Sequence, residues 1–392
     1  MEIRLSERVS RIKPSPTLAI TAHANALKAA GKDIIGLGAG EPDFDTPAHI
    51  KQAAVQALEE GFTKYTAVDG TPGLKQAIID KFRRDNGLDY SPDQVLVSCG
   101  GKQSFYNLSQ ALLNPGDEVI IPAPYWVSYP DMVLLADGKP VIVGAGIEQN
   151  FRITPEQLEA AITPRTRLFV INSPSNPTGM AYTRAELAAL GEVLLRHPQV
   201  LVATDDMYEH ILWAEEPFCN ILNACPELHD RCMVLNGVSK AYSMTGWRIG
   251  YAAGPAALVK AMKKVQSQST SNPASISQVA AQAALEGDQA CVSEMLAAFK
   301  KRHDHVVARL NKIDGITCLP AQGTFYAFPE VGGLIDRLPV ADDVELSNYL
   351  LDQIGVALVP GSAFGSPGYL RLSFATSMAV LDEALDRLEK IG

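Results

Sequence analysis

Short apolar runs alternate with helical stretches from about Thr46 to about Gly287. They include Glu118-Val119-Ile120-Ile121, Pro140-Val141-Ile142-Val143, Phe169-Val170-Ile171, Leu201-Val202-Ala203 and Met233-Val234-Leu235. That alternation predicts βα units on a mostly parallel sheet covered by helices. Beyond Gly287 the pattern changes. A long helix is predicted near Asp288 to Ile313, followed by strands around Ile316–Leu319, Thr324–Phe328, Val356–Val359 and Tyr369–Phe374. This part reads as a smaller α+β domain.

A chain of 392 residues, 47% of them hydrophobic, is long enough for one large and one smaller core. The net charge of −10 argues against nucleic acid or an anionic membrane as partner, so an anionic substrate must be drawn by local cations. No apolar run approaches the roughly 18 residues of a membrane span. The stretch from Met1 to Lys13 mixes acids and bases without an apolar core, so a cytoplasmic home is expected. Six cysteines without a Cys-x-x-Cys read as reduced thiols. Cys219, Cys225, His229 and Cys232 miss the short spacings of zinc ligand pairs, and His303-Asp304-His305 reads as a polar helix face; no metal is expected.

Four segments carry candidate chemistry. Lys240 lies in Asn236-Gly237-Val238-Ser239-Lys240-Ala241-Tyr242-Ser243-Met244-Thr245-Gly246-Trp247-Arg248, one amine among small and polar neighbours with an arginine close behind. A lysine that forms a Schiff base must be desolvated or charge-coupled, and a nearby phosphate suits a planar cation such as Arg248. The apolar run at 201–203 leads to Asp205, Asp206 and Tyr208, at the strand end where α/β sheets bind ligands. Asp205 can serve as a helix N-cap there, or as partner of a protonated pyridine nitrogen. Ser173-Pro174-Ser175-Asn176-Pro177-Thr178-Gly179 is a tight loop after a buried strand and presents Asn176 rigidly. Val95–Ser98 runs into Cys99-Gly100-Gly101-Lys102-Gln103 and a helix through Leu113, whose first N–H groups can hold a phosphate. It is not a Walker loop, because Gln103 follows the Gly-Lys pair.

Together, Ser-Lys-x(7)-Arg, Asn-Pro-Thr-Gly, Asp-x-x-Tyr and Arg371 in Tyr369-Leu370-Arg371-Leu372-Ser373-Phe374 resemble the class I pyridoxal-phosphate aminotransferases of fold type I, over nearly the whole chain. Gly36-Leu37-Gly38-Ala39-Gly40-Glu41-Pro42-Asp43-Phe44, Lys64-Tyr65-Thr66, Pro124-Tyr125-Trp126-Val127-Ser128-Tyr129-Pro130 and Thr245–Gly250 look like the bacterial aspartate aminotransferase branch. The resemblance implies a large cofactor domain over 46–287, with a mostly parallel sheet flanked by helices, and a discontinuous small α+β domain from 1–45 and 288–392. It also implies pyridoxal 5'-phosphate bound to Lys240, which then carries the proton between the substrate α-carbon and the cofactor. Asp205 would pair with the pyridinium, Tyr208 and Asn176 with the phenolic oxygen, and Trp126 would stack on the ring. Phosphate would fall to Arg248, Ser239, the amides of Gly101 and Lys102, and Tyr65 of a second subunit in a homodimer. Family members carry a hydroxyl residue three positions before the lysine, where this chain has Gly237. Arg371, helped by Gly40 and Asn176, would fork the substrate α-carboxylate.

The same resemblance implies transfer of an amino group from L-aspartate to 2-oxoglutarate, giving oxaloacetate and L-glutamate. Animal-type aspartate aminotransferases read the distal carboxylate with an arginine shortly before a Ser-Asn-Pro run, where this chain has Ser267 before Ser271-Asn272-Pro273. The bacterial branch implies Lys102, with Ser15 and Thr17 near it. A lysine discriminates less sharply than an arginine fork, which keeps aromatic, alanine, methionine and prephenate substrates open. A non-catalytic pyridoxal-phosphate sensor joined to a DNA-binding module is a remote alternative, and no basic helix-turn-helix segment precedes residue 46.

Overall fold

The structure is a computed structural model and describes residues 3–12, 14 and 16–391, without the side chains of 16–18. Near the N-terminus β1 (Ile35–Gly36) is short. Seven strands then build the main sheet: β2 (Val95–Ser98), β3 (Glu118–Ala123), β4 (Lys139–Gly144), β5 (Thr166–Asn172), β6 (Leu201–Asp205), β7 (Cys232–Gly237) and β8 (Gly250–Ala253). Their order is β2-β8-β7-β6-β5-β3-β4, and β8 alone runs against the other six. All five apolar runs named above are strands of this sheet.

The strands alternate sides as a period of two requires. Val97, Ile120, Phe169, Ile171, Val202 and Val234 face one core, with Leu74, Ile78 and Leu190 from covering helices. Leu96, Ile121, Leu168, Val170, Ala203 and Leu235 face the other, closed by Phe105, Leu108, Tyr129 and Met262. A sheet buried on both faces leaves its ligands the rim at the strand ends. Because β2, β3, β5, β6 and β7 run in the same direction, their C-terminal loops meet on one rim.

The C-terminal part holds β9 (Tyr326–Ala327), β10 (Val356–Ala357), β11 (Val359–Pro360) and β12 (Leu370–Ser373), with β12 central in an antiparallel three-stranded sheet. β1 pairs in parallel with β10, and Ile35 and Leu37 join a core built on Phe299, Phe325, Leu372 and Phe374. A helix spans Ala290–Leu310. Among the described residues no helix is long and apolar enough to cross a membrane.

Four expectations need correction. Ile316–Leu319 is no strand: only Thr317 bridges to Glu330, while the Asn311 side chain takes both the N–H and the carbonyl of Cys318. The predicted strand at Thr324–Phe328 shrinks to Tyr326–Ala327 because Thr324 turns left-handed, with φ of 66°. Val356–Val359 is divided between two sheets, as β10 and β11. His303 lies off any polar face, buried against Trp213 and Phe374 at ring distances of 5.1 and 5.9 Å.

Candidate active site

The five co-directed loops open onto one cavity of about 940 Å³. Its wall contains Gly40, Gly101, Lys102, Trp126, Asn176, Asp205, Tyr208, Ser239, Lys240, Arg248 and Arg371, so eleven candidates from distant parts of the sequence meet. Tyr65 does not line it; in this chain its side chain is 92% exposed. Ser15 and the side chain of Thr17 lie outside the described residues. Ser267, where animal-type relatives lead one to look for an arginine, caps its own helix by donating to the Lys264 carbonyl, 2.7 Å away.

Strand register places the first group. Asn172 pairs with Asp205 across β5 and β6, its Nδ2 donates to the Asp205 carbonyl at 2.8 Å, and its Oδ1 accepts the Asn176 N–H at 2.8 Å. One side chain thus ties two loop starts together. The Asp205 carboxylate accepts the Tyr129 hydroxyl at 2.5 Å and the Met207 N–H at 3.3 Å. Burial raises the Asp205 carboxyl, and Tyr129, Met207 and Lys240 oppose that rise. Tyr129 also packs edge-on against Trp126, with centroids 5.2 Å apart.

The Lys240 amine donates to the Gly40 carbonyl at 2.5 Å. Burial brings it down to about 8, with Glu41 opposing and Arg371 and Arg248 adding to the fall. About a tenth of such an amine is neutral at pH 7, far more than of a lysine at its ordinary 10.5, and the neutral form is what a nucleophile or proton carrier requires.

Arg371, on β12 between Leu370 and Leu372, is 3% exposed. Its Nη1 donates to Asn176 Oδ1 at 2.9 Å and its Nη2 to the Gly38 carbonyl at 2.8 Å, while Nε has no partner. Among the described residues no carboxylate pairs with it. Burial pulls its pKa down, since a buried cation without an anion is costly.

Across the cavity, Arg248 donates only to carbonyls, of Thr245 at 2.8 Å and Cys99 at 3.4 Å. It lies beside Gly100, which opens the helix Gly101–Leu112 with φ of 90°. A Cβ at Gly100 would strike the guanidinium, and one at Gly101 would come within 2.6 Å of Met207 Cε. Lys102 stands over the Trp126 ring at 5.2 Å, its pKa lowered by burial and by Arg248. The departure at Gly237 has a steric reason: a Cβ there would sit 3.0 Å from Gly250 Cα and 3.1 Å from the Ile249 carbonyl.

Sequence reasoning missed Tyr129, Asn172 and Tyr326. Tyr326 is fully buried, with its hydroxyl 3.2 Å from that of Tyr208. All three look like ordinary strand or helix residues, and only the register and the fold bring them to the site.

The sheet, the rim site and the pair of opposed arginines define a transferase of fold type I, and the chain belongs to the class I and II aminotransferase family, whose model matches residues 32–388. It is 62% identical to the aspartate/prephenate aminotransferase of Nitrosomonas europaea, over 99% of this chain and 100% of that protein. Among solved structures it resembles the aspartate aminotransferase of Rhizobium meliloti, with a TM-score of 0.96, 51% identity and coverage of 99% of this chain and 98% of that one. It also resembles Thermus thermophilus aspartate aminotransferase with maleate, with a TM-score of 0.94, 42% identity and full coverage of both chains.

Proposed function

We propose that this chain is a cytoplasmic, homodimeric, pyridoxal 5'-phosphate-dependent aminotransferase that moves the amino group of L-aspartate to 2-oxoglutarate. The observation that carries the reading is the placing of the Lys240 amine in one cavity with two arginines, Arg371 and Arg248, whose hydrogen bonds go to amide and carbonyl oxygens and, among the described residues, to no carboxylate. One buried fork suits a substrate carboxylate, and the other cation, beside a helix N-terminus, suits a phosphate. The donor set fits the cofactor. The glycines at 100 and 101 leave a cradle that a side chain would fill, and Arg248, Ser239 and the amides of Gly101 and Lys102 would hold the phosphate.

When bound, the cofactor supplies an aldehyde that takes up the amino group and a ring that accepts the electron pair left at the α-carbon. Asp205 holds a proton at the ring nitrogen, and Tyr129 and the Met207 N–H keep its carboxylate oriented. Asn176, its Oδ1 engaged by Arg371, offers Nδ2 to the phenolic oxygen beside the Tyr208 hydroxyl. Trp126 covers the ring face. Lys240 would take the proton from the substrate α-carbon and hold it on its amine for return. Arg371 and the backbone of Gly40 hold the α-carboxylate, and Lys102, with Ser15 and Thr17, reads the distal one. In the dimer, Tyr65 of each subunit reaches the other subunit's phosphate. We further propose the division into a large domain over 46–287 and a small one from 1–45 and 288–392; the β1–β10 pairing supports joining the N-terminal segment to the C-terminal part.

Prephenate is a second amino acceptor, because the Nitrosomonas europaea relative carries both substrates in its name and Lys102 is a single point charge. The test is a half-reaction. Holoprotein mixed with L-aspartate alone should lose its visible aldehyde-form band as the amine form appears. A band that resists aspartate yet yields to alanine or phenylalanine would refute the acidic-substrate assignment. Lys102→Ala should narrow the preference for aspartate over alanine, and an unchanged ratio would remove Lys102 from substrate selection.

A further inference from the structure

Tyr326 has no part in the roles assigned above, yet it touches two of the groups that do. It sits on β9 with no exposed surface. Its ring centroid is 4.5 Å from the Arg371 guanidinium carbon, and its hydroxyl is 3.2 Å from the Tyr208 hydroxyl. The register of β9 against β12 sets it opposite Ser373, two residues past Arg371. A Cβ on Gly40 would come within 3.0 Å of the Tyr326 oxygen, so the glycine keeps room for that hydroxyl.

Two hydroxyls in contact share one proton between them: one donates and the other accepts. On the proposed function, Tyr208 sends its proton to the cofactor's phenolic oxygen. Its own oxygen is then the acceptor, and the Tyr326 O–H donates to it. In a buried site such serial donation polarises each member, so Tyr326 strengthens Tyr208 as a donor. The ring acts separately. The Arg371 guanidinium, with no carboxylate partner among the described residues, lies against two aromatic rings, Tyr326 and Phe364 at 4.5 and 4.9 Å, and the Tyr326 contact adds to the Asn176 and Gly38 hydrogen bonds in fixing the plane in which its fork is presented.

We infer that Tyr326 is a positioning residue that ties the substrate-carboxylate fork to the phenol donor, its hydroxyl setting the proton direction of Tyr208 and its ring setting the plane of Arg371. This rests on the function proposed above. It makes Tyr326 a residue with two separable jobs.

Two substitutions separate them. Tyr326→Phe keeps the ring and removes the hydroxyl; Tyr326→Leu removes both. Tyr326→Met, which fills more of the space, replaces the leucine variant if that one does not fold. Two readouts on holoprotein avoid turnover altogether: the pH midpoint of the cofactor's visible absorbance, and the dissociation constant of maleate, an unreactive dicarboxylate. A phenolic oxygen with a weaker donor holds a neighbouring proton more tightly, so Tyr326→Phe should raise the midpoint by about half a pH unit. Its maleate affinity should stay within about twofold of wild type, because the ring remains. Tyr326→Leu should show the same midpoint rise and bind maleate roughly tenfold more weakly. An unmoved midpoint in Tyr326→Phe overturns the inference, as does a Phe variant that loses as much maleate affinity as the Leu variant. A wild type that gains no visible band with pyridoxal 5'-phosphate refutes the function itself, an outcome distinct from a normally titrating wild type beside an unresponsive variant.

Discussion

Folding lowers the Lys240 ammonium from its ordinary 10.5 to about 8, first through burial. The charged form is therefore disfavoured in the folded protein. The penalty is fully present below about 8, shrinks as the pH rises from there, and is gone above 10.5. Cofactor-free Lys240→Met should then melt above cofactor-free wild type at pH 7, with the gap closing in alkaline buffer, while transamination is lost; thermal unfolding across pH tests this. A variant that melts below wild type at pH 7 would mean that the amine contributes net stability through Gly40. Arg371→Lys keeps the charge and loses the fork, so L-aspartate should bind at least about tenfold more weakly in the half-reaction. Lys240, Arg248, Asp205 and Arg371 are legible in the sequence because lysines, arginines and carboxylates stand out beside apolar strand residues. Tyr129 and Tyr326 are not, since a tyrosine amid apolar neighbours looks like core until a fold gives its hydroxyl a partner.

The elements carry a different lesson. Four of the five apolar runs of the main sheet are legible because strands buried on both faces must be apolar throughout, while the edge run at 140–143 is only half-buried and is legible from its β-branched residues. β8 escapes, as Gly250-Tyr251-Ala252-Ala253 is short and, apart from Tyr251, built of glycine and alanine. That composition has a cause: a Cβ at Gly250 would strike the Gly100–Gly101 backbone, so the antiparallel strand and the opening of the Gly101–Leu112 helix can meet only through glycine. The C-terminal strands are shorter than the apolar pattern predicts, because side-chain capping by Asn311 and the left-handed Thr324 are invisible to such a pattern. Gly100 tests the close approach. Gly100→Ala asks a residue with a Cβ to hold φ near 90° and pushes against Arg248, so it should cost about 1–3 kcal/mol in denaturant unfolding of the cofactor-free protein. It should weaken pyridoxal 5'-phosphate binding as well, because Arg248 has to move; a loss of stability with unaltered cofactor affinity would separate Gly100 from the phosphate cradle.

At the scale of the molecule, a buried ion pair links the helix Pro72–Lys81 to the site. Lys81 pairs with Glu209, which also accepts from Asn86 at 2.8 Å and from Asn236 at 2.7 Å. Burial alone would raise the Glu209 carboxyl, but Lys81, His210 and the amides hold it down at about 2. Its stabilisation is thus present above the ordinary 4.5 and is lost as the pH falls toward 2. Glu209→Gln leaves buried Lys81 with only the Asn86 side-chain carbonyl oxygen at 2.8 Å and the more distant Asp85 carboxylate at 3.9 Å, and should cost about 3 kcal/mol at neutral pH, a deficit that narrows in acid; denaturant midpoints at several pH values measure it. The same helix follows a segment with several exposed apolar side chains. Val55, Leu58, Phe62 and Tyr65 are 52%, 49%, 39% and 92% exposed, a run of apolar surface that a second copy would cover in the proposed dimer. If Tyr65 serves the neighbouring site, inactive variants must be able to rescue one another. Lys240→Ala disables the site of its own subunit, whereas Tyr65→Ala weakens the site across the interface. When the two variants are unfolded together and refolded as a mixture, a hybrid dimer holds one site with both lesions and one with neither, so roughly a quarter of all sites should regain wild-type turnover at low cofactor concentration. A site that took Tyr65 from its own chain would give no such recovery, because in the hybrid every site would carry one lesion.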